Sequence, residues 1–181
     1  MLYFTHRPAR GFAALLILAA LSLVAGACGG GATEPGVRVL VVDGSVNPVL
    51  QRYIERGVED AEAAKAPLLI IQLDTPGGLD SSMRKIIQAI LDSPVPVIVY
   101  VSPPGARAAS AGAFITLAAH IAAMAPSTNI GAAHPVQMGG SEDDTRSSKD
   151  PSVRQAKLEN DAAAYIRSIV GQRGRNVAWA E

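Results

Sequence analysis

Ser110 stands in the stretch Gly105-Ala106-Arg107-Ala108-Ala109-Ser110-Ala111-Gly112, among very small residues and shortly after the apolar run 95–101. Small neighbours let a substrate backbone approach, and a hydroxyl held at a strand-to-helix junction can attack a carbonyl there. The amides of the helix N-terminus would stabilise the negative charge that develops. A second feature lies upstream in Asp74-Thr75-Pro76-Gly77-Gly78. Glycine lets a carbonyl come within hydrogen-bond reach of the main chain. Gly77, Gly78 and Ala111 therefore form a candidate oxyanion hole, with the Gly78 and Ala111 amides as its donors. One such donor contributes about 3 kcal/mol to transition-state stabilisation. Both features also have plainer readings. The serine is small enough for a buried helix to pack closely, and glycines permit positive φ in any turn. Ala108 occupies the first glycine position of a nucleophile elbow, which argues against an α/β-hydrolase.

The elements that must position these residues can be read from periodicity. A β-branched run over 37–42 stops at Asp43-Gly44. Residues 47–64 are helical in pattern, with Val49, Leu50, Tyr53, Ile54 and Val58 at helix spacing. The continuous apolar run 67–73 reads as a strand buried on both faces. Met83, Ile86, Ile87, Ile90 and Leu91 mark a second amphipathic helix, and 95–101 a third buried strand. Residues 109–119 look like a tightly packed helix of small residues. Short apolar pieces follow at 120–124 and 129–133, then a polar, exposed loop over 137–151 and a last helix over about 152–170. This alternation predicts an α/β fold with a mostly parallel sheet. The strand ends preceding Gly77 and Ser110 should then lie side by side at the C-terminal edge, where such folds place their sites.

Composition narrows the chemistry. The 181 residues suffice for one domain, and its core must be aliphatic, since hydrophobic residues make up 49% and aromatics only 4%. Sixteen basic residues against sixteen acidic ones leave no electrostatic footprint for nucleic acid. No phosphate-binding glycine loop is present, and three histidines and one cysteine, widely separated, make no metal site. No metal, nucleotide or other cofactor is expected. Arg7 and Arg10 precede an apolar run over 12–24 and the small residues Ala25-Gly26-Ala27, so 1–27 reads as a signal peptide or anchor. Cys28 directly after it is a candidate lipid-attachment point, and 28–36 is a glycine-rich linker. Each of these readings puts the domain over 37–181 on the periplasmic or extracytoplasmic side, and an anchor or a lipid at Cys28 would keep it associated with the membrane.

Three segments in order carry a resemblance: Asp74 to Gly78, Ala108 to Gly112, and Ala125-Pro126-Ser127-Thr128-Asn129-Ile130-Gly131-Ala132. They resemble the NfeD-type membrane-bound serine proteases of the Clp/crotonase superfamily and, more distantly, signal peptide peptidase A. The resemblance implies an α/β crotonase/Clp-protease-like β/α spiral that self-associates as a homo-oligomer. It also implies a serine endopeptidase with a serine–lysine dyad, acting on apolar peptide segments, with a stomatin-like membrane protein as partner. Ala156-Lys157-Leu158-Glu159-Asn160, Tyr165-Ile166-Arg167-Ser168 and Gly174-Arg175-Asn176 resemble the lysine-bearing helix of that family, so Lys157 is the expected base. Periodicity does not single it out. Lys157 points away from Ile166, Ile169 and Val170, and Asp161 four residues on invites an ordinary ion pair. A lysine base must also be substantially neutral, which requires desolvation. His134 is the alternative base, because its separation from Ser110 is close to that of serine and histidine in Clp proteases. His120 reads as structural, as does Arg107, with a substrate carboxylate as the other reading of Arg107. Relatives continue past Val177-Ala178-Trp179-Ala180-Glu181, so the chain is expected to be C-terminally truncated. Two other classes are considered. One is a non-catalytic scaffold that binds a membrane partner through the same groove. The other is a crotonase-type acyl-CoA enzyme, for which no carboxylate or adenine pocket is found.

Overall fold

The right-handed rule for parallel crossovers decides the architecture. In the computed structural model, which describes residues 36–133 and 151–180, the strands are β1 (Arg38–Asp43), β2 (Leu69–Asp74), β3 (Val97–Val101), β4 (Arg107–Ala109), β5 (Ile121–Met124) and β6 (Asn129–Gly131). The helices are α1 (Pro48–Ala63), α2 (Asp80–Asp92), α3 (Ala111–Ala118), α4 (Pro151–Gln172) and α5 (Val177–Ala180). The main sheet is fully parallel in the order β1-β2-β3-β5, and β4 and β6 pair in parallel as a small second sheet. The order of the main sheet never reverses, so right-handed crossovers place successive helices on the same face. Asn47 starts the first of them. Its Oδ1 accepts the Val49 and Leu50 amides, with Pro48 in the first turn.

The covered face carries the core. Leu69, Ile71 and Leu73 of β2 and Val97, Val99 and Val101 of β3 are fully buried, together with Ile54, Ile86, Ile87, Ile90 and Ile115 from the helices. The opposite face corrects the expectation that these strands are buried on both sides. Along the register Val39–Ile70–Ile98–Ile121 and Val41–Gln72–Tyr100–Ala123, the outward residues are half-buried or exposed, with Val41 60% and Ile121 54% accessible. The reason is topological: a continuous apolar run signals two covered faces only when helices lie on both.

A second correction concerns the strand that leads into Ser110. It is not β3 but the short β4, reached after the excursion 102–106. The strand β4 is anchored at the end of β2 by a Thr75–Ala108 bridge, with Thr75 N–H donating to Arg107 O and Ala109 N–H to Thr75 O. Ser110 therefore still arrives beside the Gly77 turn, as the sheet-edge argument requires. The N-terminal segment with Cys28, His134 and the expected loop up to residue 150 lie outside the described residues, while Pro151, read as the end of that loop, opens α4.

Candidate active site

Ser110 is the junction between β4 and α3, and its backbone is strained, at φ 52° and ψ −117°. A non-glycine residue with such angles costs about 1–3 kcal/mol and persists only where its surroundings over-determine it. Here they do. Ser110 N–H donates to Gly131 O at 2.8 Å, and Ser110 O accepts Ala113 N–H at 2.9 Å. The neighbouring residues are small because the main chain is crowded. A Cβ on Gly112 would lie 2.5 Å from Thr75 Cγ2. The strand–turn–helix geometry of a nucleophile elbow thus forms with Ala108 in place of its first glycine.

The Asp74-Thr75-Pro76-Gly77-Gly78 turn serves this junction residue by residue. Asp74 Oδ1 accepts Arg107 N–H and pins β4. The buried Thr75 Oγ1 accepts Gly77 N–H at 3.1 Å. A Cβ on Gly77 would stand 2.6 Å from Ser110 Cβ and 3.2 Å from its Oγ, so glycine at 77 is what admits the serine. Gly78, at φ 157°, lies against Val46, whose oxygen would be 2.1 Å from an added Cβ. With the Gly77 amide engaged by Thr75, the unengaged donors beside Ser110 are those of Gly78 and Ala111. The Gly78 amide has no acceptor among the described residues. Ala111 opens α3, where an amide has no intrahelical acceptor.

Lys157 is exposed on α4 among the described residues. The ion pair with Asp161 that its spacing invites does not form. The Asp161 carboxylate accepts instead from Arg84 Nη2 of α2. Helix α4 runs parallel to α3: Tyr165 stacks on Phe114 with ring centroids 6.1 Å apart, while Arg173 and Arg175 near its end bond Ala118 O, Leu117 O and Ala119 O at the end of α3. Ser110 lies one turn before Phe114, about 6 Å along the axis, and Lys157 two turns before Tyr165, about 12 Å. Both candidates therefore stand toward the same end of the helix pair. A cavity of about 540 Å³ opens between α3, the segment after β6 and α4. Its walls include Ala113, Phe114, Gly131, Glu159, Asn160 and Ile166.

His120 and Arg107 serve the framework. His120 Nδ1 accepts Val97 N–H at 3.1 Å, and burial followed by the charges of Arg173 and Arg175 lowers its pKa from the usual 6.5. Arg107 contributes through its main chain. Sequence reasoning missed the roles of Arg173 and Arg175, whose guanidiniums take up the orphan carbonyls of α3, and of Arg84. The signal was there in Gly174-Arg175-Asn176 and in the i,i+4 pair Asp80–Arg84.

The family model for the N-terminal domain of NfeD1b matches residues 36–172. Membrane-bound protease PH1510 of Pyrococcus horikoshii is 41% identical over 145 residues, covering 80% of this chain and 32% of its own length. Membrane protein NfeD1b of Bacillus subtilis is 36% identical over 159 residues, covering 87% of this chain and 35% of its own. The chain thus spans about a third of the length of these curated relatives. The 1510-N membrane-bound stomatin-specific protease, solved as a lysine-to-alanine mutant with a substrate peptide, superposes at TM-score 0.69 and 39% identity, covering 82% of this chain and 65% of that one. Its serine-to-alanine mutant gives 0.69 at 38% identity, covering 82% and 69%. ClpP1 of Listeria monocytogenes, at 18% identity and TM-score 0.58, covers 79% and 76% and speaks to the fold alone. The fold is α/β and Clp-protease-like.

Proposed function

The chain belongs to the NfeD1b N-terminal domain family, and from that premise we propose that it is a membrane-associated serine endopeptidase working through Ser110 and Lys157. The observation that carries the proposal is the strained Ser110 junction, which the Gly77 turn leaves just enough room to exist. Strain of this kind is retained where geometry matters more than stability.

The Ser110 Oγ attacks the scissile carbonyl while Lys157 Nζ takes its proton. The oxyanion of the tetrahedral intermediate is held by the Gly78 and Ala111 N–H groups, and Lys157 returns the proton to the departing amine. Water then releases the acyl group from Ser110 by the same steps. Support for Lys157 is the parallel course of α3 and α4, which brings its end of α4 toward Ser110, and the engagement of Asp161 elsewhere. The relative solved with a peptide bears its mutation at a lysine, and a second structure of that same protease bears one at a serine, the same two residue types. His134 is the competing base. Apolar peptide segments are the proposed substrate class, since the cavity between α3, the segment after β6 and α4 is walled mainly by Ala, Phe, Leu and Ile. A stomatin-like membrane protein is the proposed partner, by analogy with the stomatin-specific relative. No helix among the described residues is long and apolar enough to cross a membrane. Membrane association, with an extracytoplasmic face and lipidation at Cys28 as one route, is proposed for the N-terminal segment from its apolar run over 12–24 and from the membrane-bound relatives. Self-association belongs to the same proposal and is read from light scattering.

A fluorophosphonate probe tests the chemistry. It should label Ser110, fail on Ser110→Ala and Lys157→Ala, and still label His134→Ala. Proteolysis that survives Ser110→Ala would refute the mechanism.

A further inference from the structure

Arg84 stands where the three helices of the proposed site meet. It sits on α2, the helix that follows the Gly77–Gly78 turn, and its Nε bonds Asp80 Oδ2 at 2.8 Å while Nη2 bonds Asp161 of α4. Its guanidinium also lies over the Tyr165 ring, with Cζ 4.2 Å from the centroid. Tyr165 in turn stacks on the buried Phe114 of α3, one turn after Ser110. Lys157, Asp161 and Tyr165 are spaced four residues apart and form one ridge of α4.

We propose that Arg84 is a positioning residue for the Ser110–Lys157 dyad, a role that rests on the function proposed above. It holds the α4 ridge that carries Lys157 against the helix that begins at Ser110, and it keeps the Asp161 carboxylate from pairing with Lys157. Two effects follow. The first is geometric: the planar fork bonds two carboxylates and covers an aromatic face at once, which a lysine ammonium cannot do. Small misplacement of a catalytic group costs rate steeply. The second is electrostatic. A freed Asp161 carboxylate one turn from Lys157 would stabilise its ammonium form and so oppose a base that must be neutral. The charged and titratable groups that meet the Arg84 guanidinium are Asp80 from α2 and Asp161 and Tyr165 from α4, while α3 has no titratable side chain.

The test measures the rate of Ser110 labelling by a fluorophosphonate, in which the Oγ–P bond forms as fluoride leaves. It is run across pH on the full chain and four variants, with thermal melts alongside. Arg84→Ala should slow labelling roughly tenfold, leaving the probe concentration for half-maximal rate within about twofold. The limb on which the rate rises with pH should move up by about 0.3 unit. Adding Asp161→Asn to Arg84→Ala should return that limb to its original position, whereas Arg84→Lys should restore the rate only in part. Unchanged labelling in Arg84→Ala overturns the proposal. So does slowed labelling with an unmoved limb, which marks a structural brace only. Lys157→Ala separates the two levels: undiminished labelling in it refutes the dyad and this inference together. Lost labelling in Lys157→Ala beside intact labelling in Arg84→Ala refutes the inference alone.

Discussion

The two halves of the candidate site are held by different means. Around Ser110 the main chain does the holding, through Ser110 N–H to Gly131 O, Ala109 N–H to Thr75 O and Thr75 N–H to Arg107 O, with no side chain larger than threonine in the crowded contacts at Gly77 and Gly112. Around Lys157 side chains do it. Arg84 reaches from α2, Tyr165 meets Phe114, and Arg173 and Arg175 clip the end of α4 to the end of α3. A main-chain frame has no rotamer to yield, so it should tolerate no added carbon. A side-chain frame leaves its passenger, the exposed Lys157, free of packing.

The largest expected effect tests that contrast directly. Gly77→Ala places a methyl 2.6 Å from Ser110 Cβ at a φ of 106° that alanine resists. It should lower unfolding stability by about 1–3 kcal/mol, measured in urea. It should also cut hydrolysis by roughly a hundredfold or more as Ser110 and the donor at Gly78 shift. Lys157→Ala should lose about as much rate while its stability stays within about 0.5 kcal/mol of the parent. The contrast breaks if both variants lose stability alike, or if Gly77→Ala keeps its rate.

A smaller effect of opposite sign sharpens the claim of strain. Ser110→Gly removes the nucleophile, so hydrolysis should vanish. Glycine also accepts φ 52° and ψ −117° without penalty. Release of strain, less the entropy that glycine loses on folding, should raise unfolding stability by about 0.5–1 kcal/mol. A Ser110→Gly variant less stable than its parent would mean that the junction is relaxed.

The same division explains what was legible in the sequence. The crowded setting of Ser110 could be read because close main-chain packing demands small residues, and Gly77, Gly78, Ala108, Ala111 and Gly112 record that demand locally. The helices α1, α2 and α4 showed in their apolar spacing to within a few residues. The strand β4 did not, since three residues of Arg-Ala-Ala carry no period and pair only because Asp74 and Thr75 hold them. The uncovered sheet face was hidden because an apolar run is the same whether one helical layer or two lie over it. The setting of Lys157 was least legible. Lys157 belongs to a solvated surface, and the reason Asp161 does not claim it is Arg84, 77 residues earlier in the chain.

The smallest effect probes the far end of the side-chain frame, where His120 meets Arg173 and Arg175. The Val97 amide donates to His120 Nδ1, so the folded state needs a neutral ring, and burial and the two guanidiniums lower its pKa below 6.5. Above 6.5 the ring is neutral in both states and the contact is fully present. As pH falls from there through the lowered folded value, the unfolded chain binds a proton that the folded chain refuses, and stability declines. The melting temperature should therefore drop between pH 7 and pH 5. His120→Asn offers an amide oxygen to the Val97 N–H without titrating, and should flatten that slope. Equal slopes in parent and variant would show that the acid sensitivity arises elsewhere, and that this end of the frame is held by the arginines alone.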